Sequence, residues 1–282
     1  MNKIRRICTM KMFIRNTVTT FVLVLFISLV SGNAFAEAFK SPSFGGTTGL
    51  VSTPTANTGW EDAKIGLDVG YHYINNDNDD SSHIPKVTLQ LFNIWELGVA
   101  FDLQDRAAQD ENDMILHTKI NFYNAGSSAL AIGGNLQFID MGRDDGEPNG
   151  GYADHGTYGQ LYMAVTYSGN FFSMPAETTL VVGKTFGDNY DNSNIDFSMG
   201  FDLNLLPQYL KGYVHWINDF ANYSYSVDAM GSNNWYRGCF NTGIRLAILK
   251  TSRYKFNIDV IMTDALDTNR GFALGTAFGL AF

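Results

Sequence analysis

The stretch GFALGTAFGLAF, residues 271–282, alternates without a break. Phe272, Leu274, Thr276, Phe278, Leu280 and Phe282 hold one parity; Gly271, Ala273, Gly275, Ala277, Gly279 and Ala281 hold the other. A strand has a side-chain period of two, so this one presents a bulky, mostly apolar face and a nearly bare one. A soluble sheet normally gives its second face to polar groups. This strand does not.

The pattern repeats toward the N-terminus. About twelve strand-like segments can be read, near 62–75, 84–92, 94–104, 113–123, 127–139, 157–168, 176–186, 194–204, 208–219, 235–249, 253–264 and 270–282. Their lengths suit strands that cross a bilayer at a tilt. Segment 176–186 alternates least cleanly, because Lys184 shares the parity of Leu180 and Val182, and a bulge or shifted register is expected there. The connections alternate long and short, and the surplus acid lies in the long ones, as in NNDNDDSSH, DRAAQDEN and DMGRDDGEPNGG. Outer-membrane barrels have short turns on one rim and long loops on the other. The expected fold is therefore all-β: a transmembrane antiparallel up-and-down barrel of about 12 strands, residues 62–282, with both termini periplasmic. The competing fold is a soluble β-sandwich with acidic loops, which needs no such alternation.

Residues 1–36 read as a secretory signal peptide: basic residues up to Arg15, an apolar run from about Thr17 to Val30, then Ala34-Phe35-Ala36. Its removal leaves 14 basic against 28 acidic residues, a net of −14, which argues against nucleic acid as a partner. Cys239 is then the only cysteine and no disulfide can form. Residues 37–61 form a lead-in to the barrel. Gly45, Gly46 and Gly49 allow tight turns and Pro54 stiffens the chain. This segment either leads into the first strand, caps the periplasmic mouth or enters the lumen.

If the apolar parity faces lipid, the other lines the lumen. The lumen-lining candidates are Lys64, Asp68, Lys86, Glu96, Asp102, His117, Lys119, Asp196, Asp202, Lys211, His215, Arg237, Arg245, Lys255 and Asp259, with His72 on the same parity. A charge in hydrocarbon costs about 2–4 kcal/mol at the midplane, so this set belongs inside. Its basic and acidic members nearly balance. Opposed charges across an open pore would suit small hydrophilic solutes; interlocked charges would close it. Glycines and alanines leave room on part of the wall, which either widens the bore or receives the third loop, the fifth loop or the N-terminal segment.

No sequence run suggests an enzyme, a cofactor or a metal site. The five histidines are scattered, and Gly231-Ser232-Asn233-Asn234 lacks the neighbouring histidine of an outer-membrane lipase. The acidic pairs Asp79-Asp80 and Asp144-Asp145 offer hard oxygen ligands of the kind Ca²⁺ takes, but read first as solvated loops. Expected partners are outer-membrane lipid and lipopolysaccharide and small hydrophilic solutes.

The terminal strand, ending on Phe278, Leu280 and Phe282, resembles the closing strand of bacterial outer-membrane barrels, whose last aromatic is read by the barrel assembly machinery. The run GGTTGLVSTPTA, residues 45–56, followed by a strand with alternating glycines, resembles the start of YjbH-type outer-membrane proteins. That resemblance implies a link to exopolysaccharide export or envelope biogenesis. The leading functional expectation is a porin-like passive channel. The alternatives are a closed accessory barrel and a surface adhesin or receptor acting through the acidic loops.

Overall fold

The computed structural model describes residues 39–61, 63–76, 80–105, 111–139, 156–187, 195–222, 238–266 and 270–282. The expected signal peptide and most of the third and fifth loops lie outside the described residues, as does Arg237. A two-stranded ribbon, β1 (Ser41–Pro42) with β2 (Thr48–Gly49), precedes twelve long strands. These are β3 (Ile65–Asn76), β4 (Ser81–Leu91), β5 (Trp95–Asp105), β6 (Glu111–Ala125), β7 (Ser128–Ile139) and β8 (Gly156–Phe171). They continue as β9 (Met174–Gly187), β10 (Asp196–Asn204), β11 (Val214–Ala221), β12 (Cys239–Lys250), β13 (Tyr254–Thr263) and β14 (Gly271–Ala281).

Each long strand pairs antiparallel with its sequence neighbours, and β14 returns to β3 to close the barrel. The register of that seam sets Phe278 opposite Val69 and Leu280 opposite Leu67. Phe282 and Ile65 exchange backbone hydrogen bonds beyond it. Closure leaves no unpaired sheet edge, which is the condition for a β-structure to sit in hydrocarbon. The outer face supplies the matching surface: Val69, Leu116, Ile132, Leu161, Met163, Leu180, Leu274 and Phe278 are all exposed. The inner parity, from Asp68 to Ala281, is buried. The result is a closed twelve-stranded antiparallel barrel with an apolar outer face and a largely polar, buried inner one.

Two local expectations are corrected. The ladder of β9 runs unbroken against β8 and β10, with Lys184 opposite Leu161 near the long-loop rim. The register shifts fall at Asn121/Tyr123 and Ala247/Leu249. The ninth segment does not begin at 208 either. Pro207 has no N–H for a ladder and a fixed φ, so it opens a single turn of helix, α1 (Pro207–Leu210), and β11 starts only at Val214. Lys211 therefore caps that turn at φ 51, exposed on the short-turn rim and not in the lumen. The same shift moves Trp216 from the loop end of its strand to the turn end. There it stacks edge-on with Phe201 and donates to Thr242 Oγ1.

Candidate functional site: a lumen filled by the N-terminal segment

Phe39 to Trp60 lies inside the barrel. Nearly every residue of this stretch is buried, although it belongs to no strand of the wall. It is a loop in outline, with Lys40 and Asn57 both held by Glu177 of β9 and Trp60 held by Gln90 of β4. Between these ends the β1–β2 ribbon turns at Gly46, whose φ of +94° favours glycine. A methyl group there would also meet His117 at 2.8 Å.

The wall holds this segment mainly by its backbone. Cations take the carbonyls. Lys86 Nζ donates to the carbonyls of Ser43 and Phe44 at 2.7 and 2.9 Å. Lys119 Nζ reaches those of Thr48, Thr55 and Asn57 at 3.1, 2.9 and 2.7 Å. The Arg245 guanidinium donates to Gly49 and Leu50, each at 3.1 Å, and to Phe39 at 3.4 Å. Lys255 donates to Gly59 at 2.8 Å. Anions take the N–H groups. Asp219 Oδ2 accepts from Val51, Ser52 and Thr53 at 3.2, 2.7 and 2.8 Å. Glu96 accepts from the Gly59 N–H at 2.8 Å and the Thr48 hydroxyl at 2.6 Å. An irregular segment at membrane depth must have its polar backbone satisfied by protein, and these side chains do that.

The same groups pair with one another. Lys119 with Glu96, Arg245 with Asp259 and Lys255 with Asp68 each stand at 2.9 Å. His215 Nδ1 lies 2.7 Å from Asp202. Lys119, Arg245 and Lys255 thus each pair with a carboxylate of the wall while also holding the segment. Hydrogen bonds to charged groups contribute about 1.5–3 kcal/mol each, roughly twice a neutral bond. Lys40, on the segment itself, is 2.5 Å from Glu177. Burial opposes its charge, but Glu177 and Glu61 outweigh burial and raise its pKa.

Apolar contacts complete the filling. Phe44 and Val51 pack with the inward Ile74, Ile84, Ile115, Ile217 and Ile261. The small residues of the wall receive neighbours: a methyl on Gly66 would lie 2.2 Å from the Trp60 ring, and one on Gly279 2.2 Å from Asp68. The bareness of the last strand's inner face is space already used by Lys255 and Asp68.

Of the sequence-derived lumen set, Asp68, Lys86, Glu96, Asp102, His117, Lys119, Asp196, Asp202, His215, Arg245, Lys255 and Asp259 are buried on the inner parity. Lys64 is not. β3 begins one residue later, and Lys64 is exposed at the rim, where its carbonyl accepts the Phe92 N–H. Sequence reading missed Asp219, Glu177 and Asp113, all buried. Asp219 closes the 208–219 segment and shares parity with His215, which places it in the wall. With these acids added and Lys64 and Lys211 removed, the near-balance of charge disappears. The described strands bury four cations (Lys86, Lys119, Arg245, Lys255) against nine carboxylates, an acidic surplus of five.

No protein-family model and no curated protein matches the chain. Among solved structures, it is similar to the KdgM porin at TM-score 0.49 and 9% identity, covering 76% of this chain and 99% of that one. It is also similar to the COG4313 outer membrane channel from Pseudomonas putida F1, at TM-score 0.49 and 12% identity, over 89% and 100% of the two chains. Outer membrane phospholipase A from Escherichia coli follows at TM-score 0.39 and 12% identity, over 76% and 96%. At these identities the likeness concerns barrel architecture alone.

Proposed function

We propose that the protein is a bacterial outer-membrane channel of porin-like build whose lumen is closed by its own segment Phe39–Trp60. Small hydrophilic solutes pass when that segment shifts. The supporting observation is the backbone-directed grip: carbonyls on Lys86, Lys119, Arg245 and Lys255, N–H groups on Glu96 and Asp219. A filler meant only for stability would use apolar packing, since buried ion pairs add little over it. Polar contacts of this kind exchange readily for water once the segment moves, leaving a hydrophilic wall. The short-turn rim and both termini would face the periplasm, and Phe278, Leu280 and Phe282 would form the signal read by the assembly machinery. Lipopolysaccharide would meet the outer rim.

Planar bilayers test this. Wild-type protein should conduct weakly or intermittently, and Arg245→Ala, which loses three carbonyl contacts, should conduct more. Folded barrels that stay silent in both forms would count against passage. They would favour the second reading, a closed accessory barrel in envelope biogenesis or exopolysaccharide export. That reading draws on the GGTTGLVSTPTA run, which lies wholly within the buried segment.

A further inference from the structure

On the side of β6 to β10 the segment does not fill the lumen completely. A cavity of about 40 Å³ remains between Ser43, Thr47 and Ser52 of the segment and the wall at His117, Tyr162 and Asp196. That is room for about two or three waters. His117 and Tyr162 are each 5% exposed, and both line it. Among the described residues, neither His117 ring nitrogen has a hydrogen-bond partner. Buried polar atoms left this way call for water or another polar occupant.

Toward the short-turn rim the cavity ends on a dry contact. Ala56 of the segment packs against Ala129, Ala131 and Ala164, with Val181 and Tyr162. Ala131 is the ladder partner of Ala164, and Ala164 of Val181, so the contact spans three adjacent strands at one level. Toward the long-loop rim the wall changes character. There the described parts of β5, β6 and β10 carry Asp102, Asp113 and Asp196, with Lys119 lying on the other side of His117.

We propose that this chamber admits water and small monovalent cations that shed most of their hydration shell, from the long-loop side, and that Ala56 against Ala131, Ala164 and Val181 is the gate of the conducting path. The gate closes by excluding water from an apolar constriction. Asp196, which lines the chamber, makes the path favour cations. The inference rests on the channel reading and assigns its solute class and narrowest point.

The test uses the whole mature protein in planar bilayers under a KCl gradient, with folding of each variant verified by heat-modifiable migration. Ala131→Ser and Ala164→Ser wet the contact and should raise conductance several-fold, with a reversal potential on the potassium side. Ala131→Leu should abolish it. Wild-type conductance from Ala131→Leu, or a reversal potential on the chloride side, overturns the proposal. If the serine variants stay silent while Arg245→Ala conducts, the gate is elsewhere and the channel reading survives. If all three are silent, both fail. A second measurement covers a leucine variant that does not fold. Asn135 lines the chamber, so Asn135→Cys on a Cys239→Ser background should react with a small cationic thiol reagent faster than with an anionic one. No reaction, or the reverse order, counts against the cation path.

Discussion

The two sides of the lumen hold the same segment by different means. From β11 round through β14 and β3 to β6, charged side chains reach its backbone: Asp219, Arg245, Lys255, Lys86, Glu96 and Lys119. From β7 to β9 the wall meets it with alanines and neutral hydroxyls, chiefly Ala131, Ala164 and Thr166, and only Glu177 at the rim is charged. The charged side fixes the segment's position. The small-residue side is where it can part from the wall at least cost, because fewer charge-assisted bonds break.

The largest effect is expected from Arg245→Ala. It strips three carbonyl contacts and leaves Asp259 buried without its guanidinium, a change that costs about 3–5 kcal/mol when one partner of a buried pair is lost. Backbone amides of Gly49–Thr53 should then exchange with deuterium much faster in liposome-embedded protein. Unchanged protection would mean that the charged side is not the anchor. Next comes Asp219→Ala, which takes the shared acceptor from three N–H groups but leaves no buried charge without its partner. Its faster exchange should be confined to Val51–Thr53, and uniform loosening would break the division of the lumen into two sides.

Thr166→Val, on the small-residue side, removes one neutral bond to the Ala56 N–H and should cost about 1 kcal/mol. Denaturant unfolding of the two alanine variants and this one should rank Arg245, Asp219, Thr166. A Thr166 effect as large as that of Arg245 would erase the contrast. The smallest effect concerns pH. The raised Lys40 pKa means its clamp on Glu177 stabilises the segment below the unfolded lysine value of about 10.4. That contribution is lost as pH rises through the folded value. The protection factor of amides near Lys40 (exchange relative to the free-chain rate at the same pH) should therefore stay constant through neutral pH and fall only in strong alkali. A fall between pH 6 and 8 would show that another group controls this end.

Much of the barrel was legible. Alternation placed twelve segments, and the observed strands lie within a few residues of eleven of them. The exception, 208–219, failed just after Pro207: residues 208–213, read as strand, form the helical turn that Pro207 opens and its exit, and the strand starts only at Val214. Parity also picked out most wall charges, including Arg245, Asp259, Lys119 and Glu96. It missed Asp219 and Glu177, which lie at the ends of segments 208–219 and 176–186, where apolar alternation is too short to set a parity. The occupant of the lumen was legible only as one of several candidates. The segment offers its backbone to the wall, and every sequence carries the same backbone, so no residue in it advertises its partners.

The sequence by itself determined that strands form and that they have a greasy and a polar parity, since a side-chain period of two sorts faces with no knowledge of distant contacts. Only the tertiary structure decided what those inner charges do. Whether Lys86 and Glu96 face water or a strand of peptide depends on residues some 40 positions away lying beside them, and that follows from barrel closure and the space its small residues leave.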